Sequence, residues 1–67
     1  MELGQKVRAV DIEKQKNDPH LTESSLRIIA KSDFVGEVTQ LQDNLVYVSY
    51  KNDLGWVTQV FKPEEVK

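Results

Sequence analysis

The sequence predicts an all-β fold, and three observations carry that prediction. Three consecutive runs from residue 34 read as strands: Phe34-Val35-Gly36-Glu37-Val38-Thr39-Gln40-Leu41, Asn44-Leu45-Val46-Tyr47-Val48-Ser49-Tyr50-Lys51 and Gly55-Trp56-Val57-Thr58-Gln59-Val60-Phe61. Short turn-forming segments, Gln42-Asp43-Asn44 and Asn52-Asp53-Leu54-Gly55, separate them. A proline-led run, Lys62-Pro63-Glu64-Glu65-Val66, closes the chain. Strand, hairpin, strand, hairpin, strand and proline-led turn is the order in which small SH3-like barrels end. The expectation is therefore a single SH3-like barrel domain over residues 1–67, of about five strands, with a long first loop and a short C-terminal helical turn.

Each element has a local reason. In Gln5-Lys6-Val7-Arg8-Ala9-Val10-Asp11-Ile12, Val7 and Ala9 alternate with Lys6 and Arg8, which predicts a first strand with one wet face. Glu13 to His20 is polar, and Asn17-Asp18-Pro19 is turn chemistry, because proline forces its predecessor out of the helical region. With no apolar residue between Glu13 and His20, the loop over residues 13–25 is expected to be mobile. Thr22–Ala30 has two readings. Asp18 or Thr22 could cap a short helix bearing Leu26, Ile29 and Ala30, or Leu26, Ile28 and Ala30 could line one side of a strand. Ser24-Ser25 and the β-branched pair Ile28-Ile29 favour the extended form, by a few tenths of a kcal/mol each. Gly36 and Gly55 both read as turn glycines from which strands open, and Gly55 suits a positive φ. Pro63 stops the last strand, and Glu64-Glu65 suits a first helical turn.

Composition bounds the function. A chain of 67 residues makes one domain with a small core. It has no cysteine, so a reducing compartment is expected, cytoplasmic or, in a photosynthetic eukaryote, the plastid stroma. No leader and no membrane span are expected. Nine basic against eleven acidic residues give a net charge of −2, which argues against the basic field of a nucleic-acid binder.

Catalytic constellations are missing from the pattern. His20 is the sole histidine and has no orienting partner or co-ligands at recognisable spacing, so neither a general base nor a metal site is expected. Glu64 and Glu65 are adjacent and point apart, Ser24-Ser25 lacks a glycine frame, and the three glycines lie far apart. No enzyme activity and no cofactor are expected. The aromatic residues Phe34, Tyr47, Tyr50, Trp56 and Phe61 are mostly core candidates. Trp56, just past a hairpin turn, and Tyr47, opposite the Val46, Val48 and Tyr50 face, are the candidates for a partner-binding rim. Lys14, Lys16, His20 and Arg27 extend the candidate partner-binding set along the polar loop.

Taken together, Gly4-x-Lys6-Val7-Arg8, Asp18-Pro19, Gly36-x-Val38, Val46-x-Val48 and Phe61-Lys62-Pro63-Glu64-Glu65-Val66 resemble small SH3-like-barrel proteins of photosynthetic organisms. The ferredoxin–thioredoxin reductase variable chain is similar over nearly the whole length, and the small regulators that bind a cyanobacterial sensor histidine kinase are similar in the Asp-Pro loop. Photosystem I subunit IV and the small barrel subunits of the photosynthetic NAD(P)H dehydrogenase complex share the outline. Thr22–Ala30 departs from all of them, lacking their proline or aromatic pattern. The resemblance implies a protein without chemistry of its own that docks onto a larger partner. The leading expectation is a non-enzymatic accessory or regulatory subunit, monomeric when isolated, that contacts a larger protein through loop 13–25 and the Trp56 rim. The alternative is a nucleic-acid- or ribosome-associated barrel using Lys6, Arg8, Lys14, Lys16 and Arg27. At physiological salt the domain is expected to bind RNA or DNA no more tightly than the non-specific range of about 10⁻⁴ to 10⁻⁶ M. Submicromolar binding with a steep salt dependence in a fluorescence titration would promote the alternative.

Overall fold

A computed structural model describes residues Met1 to Lys67. The elements are β1 (Lys6–Val7), α1 (Ile12–Lys16), α2 (Glu23–Lys31), β2 (Gly36–Gln42), β3 (Leu45–Asn52) and β4 (Gly55–Phe61), followed by a 3₁₀ turn at Pro63–Glu65. The molecule is mostly β: one antiparallel sheet in the order β1-β2-β3-β4, with two short helices. Its core is Val7, Ala9, Ile29, Val38, Val46, Val48, Tyr50, Phe61 and Val66.

The meander follows from its turns. Asp43 and Asn44 form a two-residue connection with φ of 53° and 59°, and Gln42 pairs with Leu45 across it. Both central residues are left-handed, as the primed hairpin turns require, and Asp and Asn tolerate that conformation best after glycine. The second hairpin closes at the Asn52–Gly55 pair, where Gly55 takes φ +136° and the Asn52 side-chain carbonyl accepts from the Leu54 amide at 2.9 Å. Along β3, Val46, Val48 and Tyr50 face inward, each nearly inaccessible to water, while Leu45, Tyr47 and Ser49 face outward and are half-buried. A bulge at Thr39 breaks the register between Val38 and Gln40. It also breaks the sequence echo between the two glycine-led strands, so that Gln40 is exposed on β2 while the corresponding Gln59 on β4 is half-buried.

Two expectations about the first half of the chain are corrected. Thr22–Ala30 is not extended: Glu23–Lys31 is α-helical. Thr22 caps it, its hydroxyl accepting from the Ser25 amide at 3.1 Å, and Glu23 in the first turn complements the dipole. The far end is closed by a paired motif, Phe34 N–H to Ile29 carbonyl at 3.0 Å and Asp33 N–H to Ala30 carbonyl at 3.0 Å. Asp33 and Phe34 are left-handed there, at φ 57° and 62°. Against the small intrinsic penalty of Ile28-Ile29 stand these caps and the complete burial of Ile29, worth about 1.5–3 kcal/mol alone. Burial and capping win.

Nor is loop 13–25 structureless. Asp11 caps α1 through the Lys14 amide at 3.0 Å, and Gln15 is buried on the sheet side. The first strand is correspondingly shorter than its alternation suggested, with Lys6–Val7 paired to β2 and Ala9 joined to Val66 by an isolated bridge. Val7 and Ala9 still face the core.

Gly36 is a strand residue rather than a turn residue. A Cβ there would lie 2.4 Å from a Val48 methyl and 3.1 Å from the Ser49 carbonyl oxygen. The strand backbone is packed directly on its neighbour's side chains, which only glycine permits. Gly36→Ala is expected to destabilise the fold by about 1–3 kcal/mol, seen as a lower urea midpoint at unchanged slope. An unchanged midpoint would show that the contact relaxes freely.

Candidate functional site

Two surfaces meet at β4. The first is the outer face of the sheet. There Lys51 pairs across the strands with Trp56, Ser49 with Thr58, and Tyr47 with Val60. The hydroxyls of Thr39, Ser49 and Thr58 are linked at 3.1 and 2.9 Å, a polar row crossing three strands. Trp56 flanks this row at one end, 71% exposed, with Leu54 exposed in the adjoining turn; Val60 and Tyr47 flank it at the other. Tyr50 and Phe61, by contrast, are core, and Phe34 packs partly against it.

The second surface is a cleft of about 250 Å³ between the free side of β4, α1 and the C-terminal turn. Its wall includes Ala9, Gln15, Gln59, Phe61 and the carboxylates of Asp11, Asp18, Glu64 and Glu65, with Lys14 as the lone cation. A hydrogen-bonded chain runs behind it. Asp18 Oδ1 accepts from the His20 amide at 2.8 Å, and its Oδ2 accepts from Gln59 Nε2 at 3.2 Å. Gln59 Oε1 accepts from Gln15 Nε2 at 2.9 Å, and the same Nε2 donates to the Tyr50 hydroxyl at 3.0 Å. Since an ionised carboxylate only accepts, Asp18 fixes the orientation of the Gln59 amide, which in turn fixes that of Gln15. The result leaves Gln15 Oε1 buried without a partner.

The electrostatics are local. Burial pushes the Tyr50 hydroxyl above its ordinary value, opposed by its bond from Gln15. Glu65 is held below the ordinary range, chiefly because its carboxylate accepts from the Lys62 amide at 2.7 Å, with Lys14 at 3.3 Å adding to the effect.

The residues singled out from the sequence fall on separate surfaces. Trp56 and Tyr47 share the outer face of the sheet. Lys14 sits at the cleft and is paired with Glu65. Lys16 is paired with Glu13 at 3.7 Å and lies 5.4 Å over the Phe34 ring, and it shares a shallow groove with Arg27. Arg27 is paired with Glu23 at 2.8 Å. His20 is exposed in the turn, and its imidazole makes no hydrogen bond or ion pair. No hydrogen bond or ion pair joins the loop residues to Trp56 or Tyr47. Gln15, Gln59 and Asn52 carry no sequence signal of their importance. Asn52 donates to the Ile28 carbonyl at 2.8 Å and the Ser32 hydroxyl at 2.7 Å, which locks α2 to the second hairpin.

No helix is long and apolar enough to cross a membrane, and no group of three or more His, Cys, Asp or Glu side chains is arranged to hold a metal. Compared with protein-family models, with curated proteins and with solved structures, the chain matches none of them.

The buried hydroxyl makes stability depend on pH at the alkaline end. Tyr50 stays neutral more readily folded than unfolded, so its full contribution is present below the ordinary tyrosine value of about 10 and is lost as pH rises through its raised folded value. Tyr50→Phe is expected to lower stability at neutral pH by about 1–3 kcal/mol, because a buried Gln15 donor loses its acceptor, and to flatten the alkaline decline. Urea midpoints measured on both proteins across the neutral-to-alkaline range check this; parallel curves would count against it.

Proposed function

We propose that this chain is a non-enzymatic accessory or regulatory subunit, an SH3-like barrel that docks onto a larger protein through the outer face of its sheet. The observation that carries the reading is Trp56. It is the one tryptophan of the chain and stands 71% exposed on a regular strand, next to an exposed leucine and in line with Tyr47 and Val60. Exposed aromatic side chains on a rigid strand bring large contact area at little entropic cost, the usual property of interface anchors.

The barrel reading is supported by the return of the chain to its start. After the 3₁₀ turn, Arg8 and Lys67 exchange two backbone hydrogen bonds at 2.8 Å, and Val10 N–H donates to the Glu65 carbonyl at 2.8 Å. The C-terminal segment thereby flanks the first strand, as the last strand of such a barrel does. The likeness to the photosynthetic barrel proteins stands on the sequence motifs alone. Absence of cysteine favours the cytoplasm or a comparable reducing compartment.

Lys6, Lys14, Lys16 and Arg27, four of the five cations that would serve nucleic-acid binding, are each within 4 Å of a carboxylate. Such pairing removes the field that phosphate contacts need, which favours protein docking. Trp56→Ala is expected to weaken partner binding by about 2 kcal/mol or more while costing less in folding than the ~3–5 kcal/mol of a core tryptophan. Affinity capture from native lysate, with the partner re-expressed and titrated against both proteins, checks the first half, and urea unfolding checks the second. Equal affinity for the re-expressed partner would remove the outer face from consideration.

A further inference from the structure

The cleft lies along an unfinished sheet edge. β4 is the last strand in the order, so β3 alone hydrogen-bonds to it. None of residues 56–60 makes a backbone hydrogen bond outside that ladder. The Asn52–Gly55 pair closes a two-residue turn, so hydrogen-bonded pairs alternate from there, at Tyr50–Val57 and Val48–Gln59. The backbone N–H and C=O groups of Trp56, Thr58 and Val60 therefore face away from the sheet. Natural sheets blunt such edges with charge, proline or a covering element. The strand Gly55-Trp56-Val57-Thr58-Gln59-Val60-Phe61 contains neither a charged residue nor a proline.

The cleft beside this edge is short of positive charge: Lys14 is its lone cation and is already paired with Glu65. Of its four carboxylates only Glu65 has a cationic partner, leaving Asp11, Asp18 and Glu64 without one. Gln15, only 3% exposed, forms part of the wall, and its Oε1 has no partner. Bare backbone calls for another strand, and carboxylates without a cationic partner call for a cation. One ligand meets both demands.

We infer that β4 accepts an extended peptide as an added strand, with an arginine of that peptide entering the cleft. The peptide backbone pairs with Trp56, Thr58 and Val60. The guanidinium lies among Asp11, Asp18 and Glu64, against the wall that Gln15 forms. Arginine suits the site better than lysine because its planar fork carries five donors and is more weakly hydrated. A second copy of this chain fits less well, since its own β4 has no cation to offer. This inference rests on the reading of the chain as a docking module, and it adds to the outer face a second contact, in which one segment of the partner lies along the edge.

The test titrates the isotope-labelled chain with a synthetic peptide of alternating threonine and valine residues carrying one arginine. Two companion peptides replace the arginine by glutamate or N-methylate alternate backbone nitrogens. Amide shifts and slowed hydrogen exchange are expected at Trp56, Thr58 and Val60. Both companions are expected to bind about tenfold or more weakly, one through like-charge repulsion and the other through lost backbone bonds. Thr58→Pro, tolerated on an edge strand, is expected to weaken the arginine peptide alike, with folding checked by urea midpoint.

Absence of any change at residues 56–60 would overturn the inference. So would equal binding of either companion, or peptide-independent protection of β4 that grows with protein concentration. Binding abolished by Trp56→Ala but indifferent to N-methylation would also overturn it, while leaving the outer-face reading intact. Edge protection that survives Trp56→Ala would support it, even if the outer face proves idle.

Discussion

The fold depends on a buried amide. Gln15 is the point at which an almost wholly polar stretch is fastened to the sheet, and it holds by donating both amide hydrogens, to Tyr50 and to Gln59. Removing it would leave a buried tyrosine hydroxyl and a glutamine carbonyl without donors, at a cost of about 1–3 kcal/mol for each group left unsatisfied. The seat of α1, and with it the near wall of the cleft, is set by that residue together with Ile12, which packs against the core. An apolar side chain could fill the same space but could not orient Gln59, and it would leave the Asp18 turn unanchored.

Polar order of this kind also sets a direction. Asp18 is acceptor-only, so the donors along the chain all run toward it or branch to Tyr50. The unpaired oxygen on Gln15 is the consequence of that polarity rather than of poor packing. A native domain keeps few such groups, and those it keeps tend to sit where something else completes them. Elsewhere the charges are spent locally: the ion pairs at Lys6–Glu37, Lys16–Glu13 and Arg27–Glu23 are exposed and contribute little to stability.

The second half of the chain was legible because its signals are local. Alternation along β3 gave Val46, Val48 and Tyr50 as the inner face, and Asp43-Asn44 and Gly55 gave both hairpins, since turn chemistry and period-two patterning act within a few residues. The first half was not, because its structure is decided at a distance. The Ile28-Ile29 pair leans toward strand by propensity, yet Ile29 is claimed by a core assembled from β1, β2, β3 and β4. Gln15 reads as solvent-facing until Tyr50 and Gln59 are brought to it from more than thirty residues away. Gly36 read as a turn for the same reason: the Val48 methyl that excludes a side chain there belongs to another strand. The exposure of Trp56 accords with its place after the turn, whereas gathering the rim and the loop into one surface required three-dimensional proximity that the sequence does not encode.

The backbone bonds between Arg8 and Lys67 bear on how the molecule assembles. The meander from β2 to β4 is stitched by pairs from 3 residues apart, Gln42 with Leu45, to 15 apart, Val46 with Phe61, so its loops close at little entropic cost. Bringing Arg8 to Lys67 closes a loop spanning almost the entire chain. That junction is held from both sides by core residues, Val7 and Ala9 on one segment and Val66 on the other. The same junction borders the cleft through Ala9, Val10 and Glu65, so one wall of the site is set by a contact between segments separated by almost the whole chain.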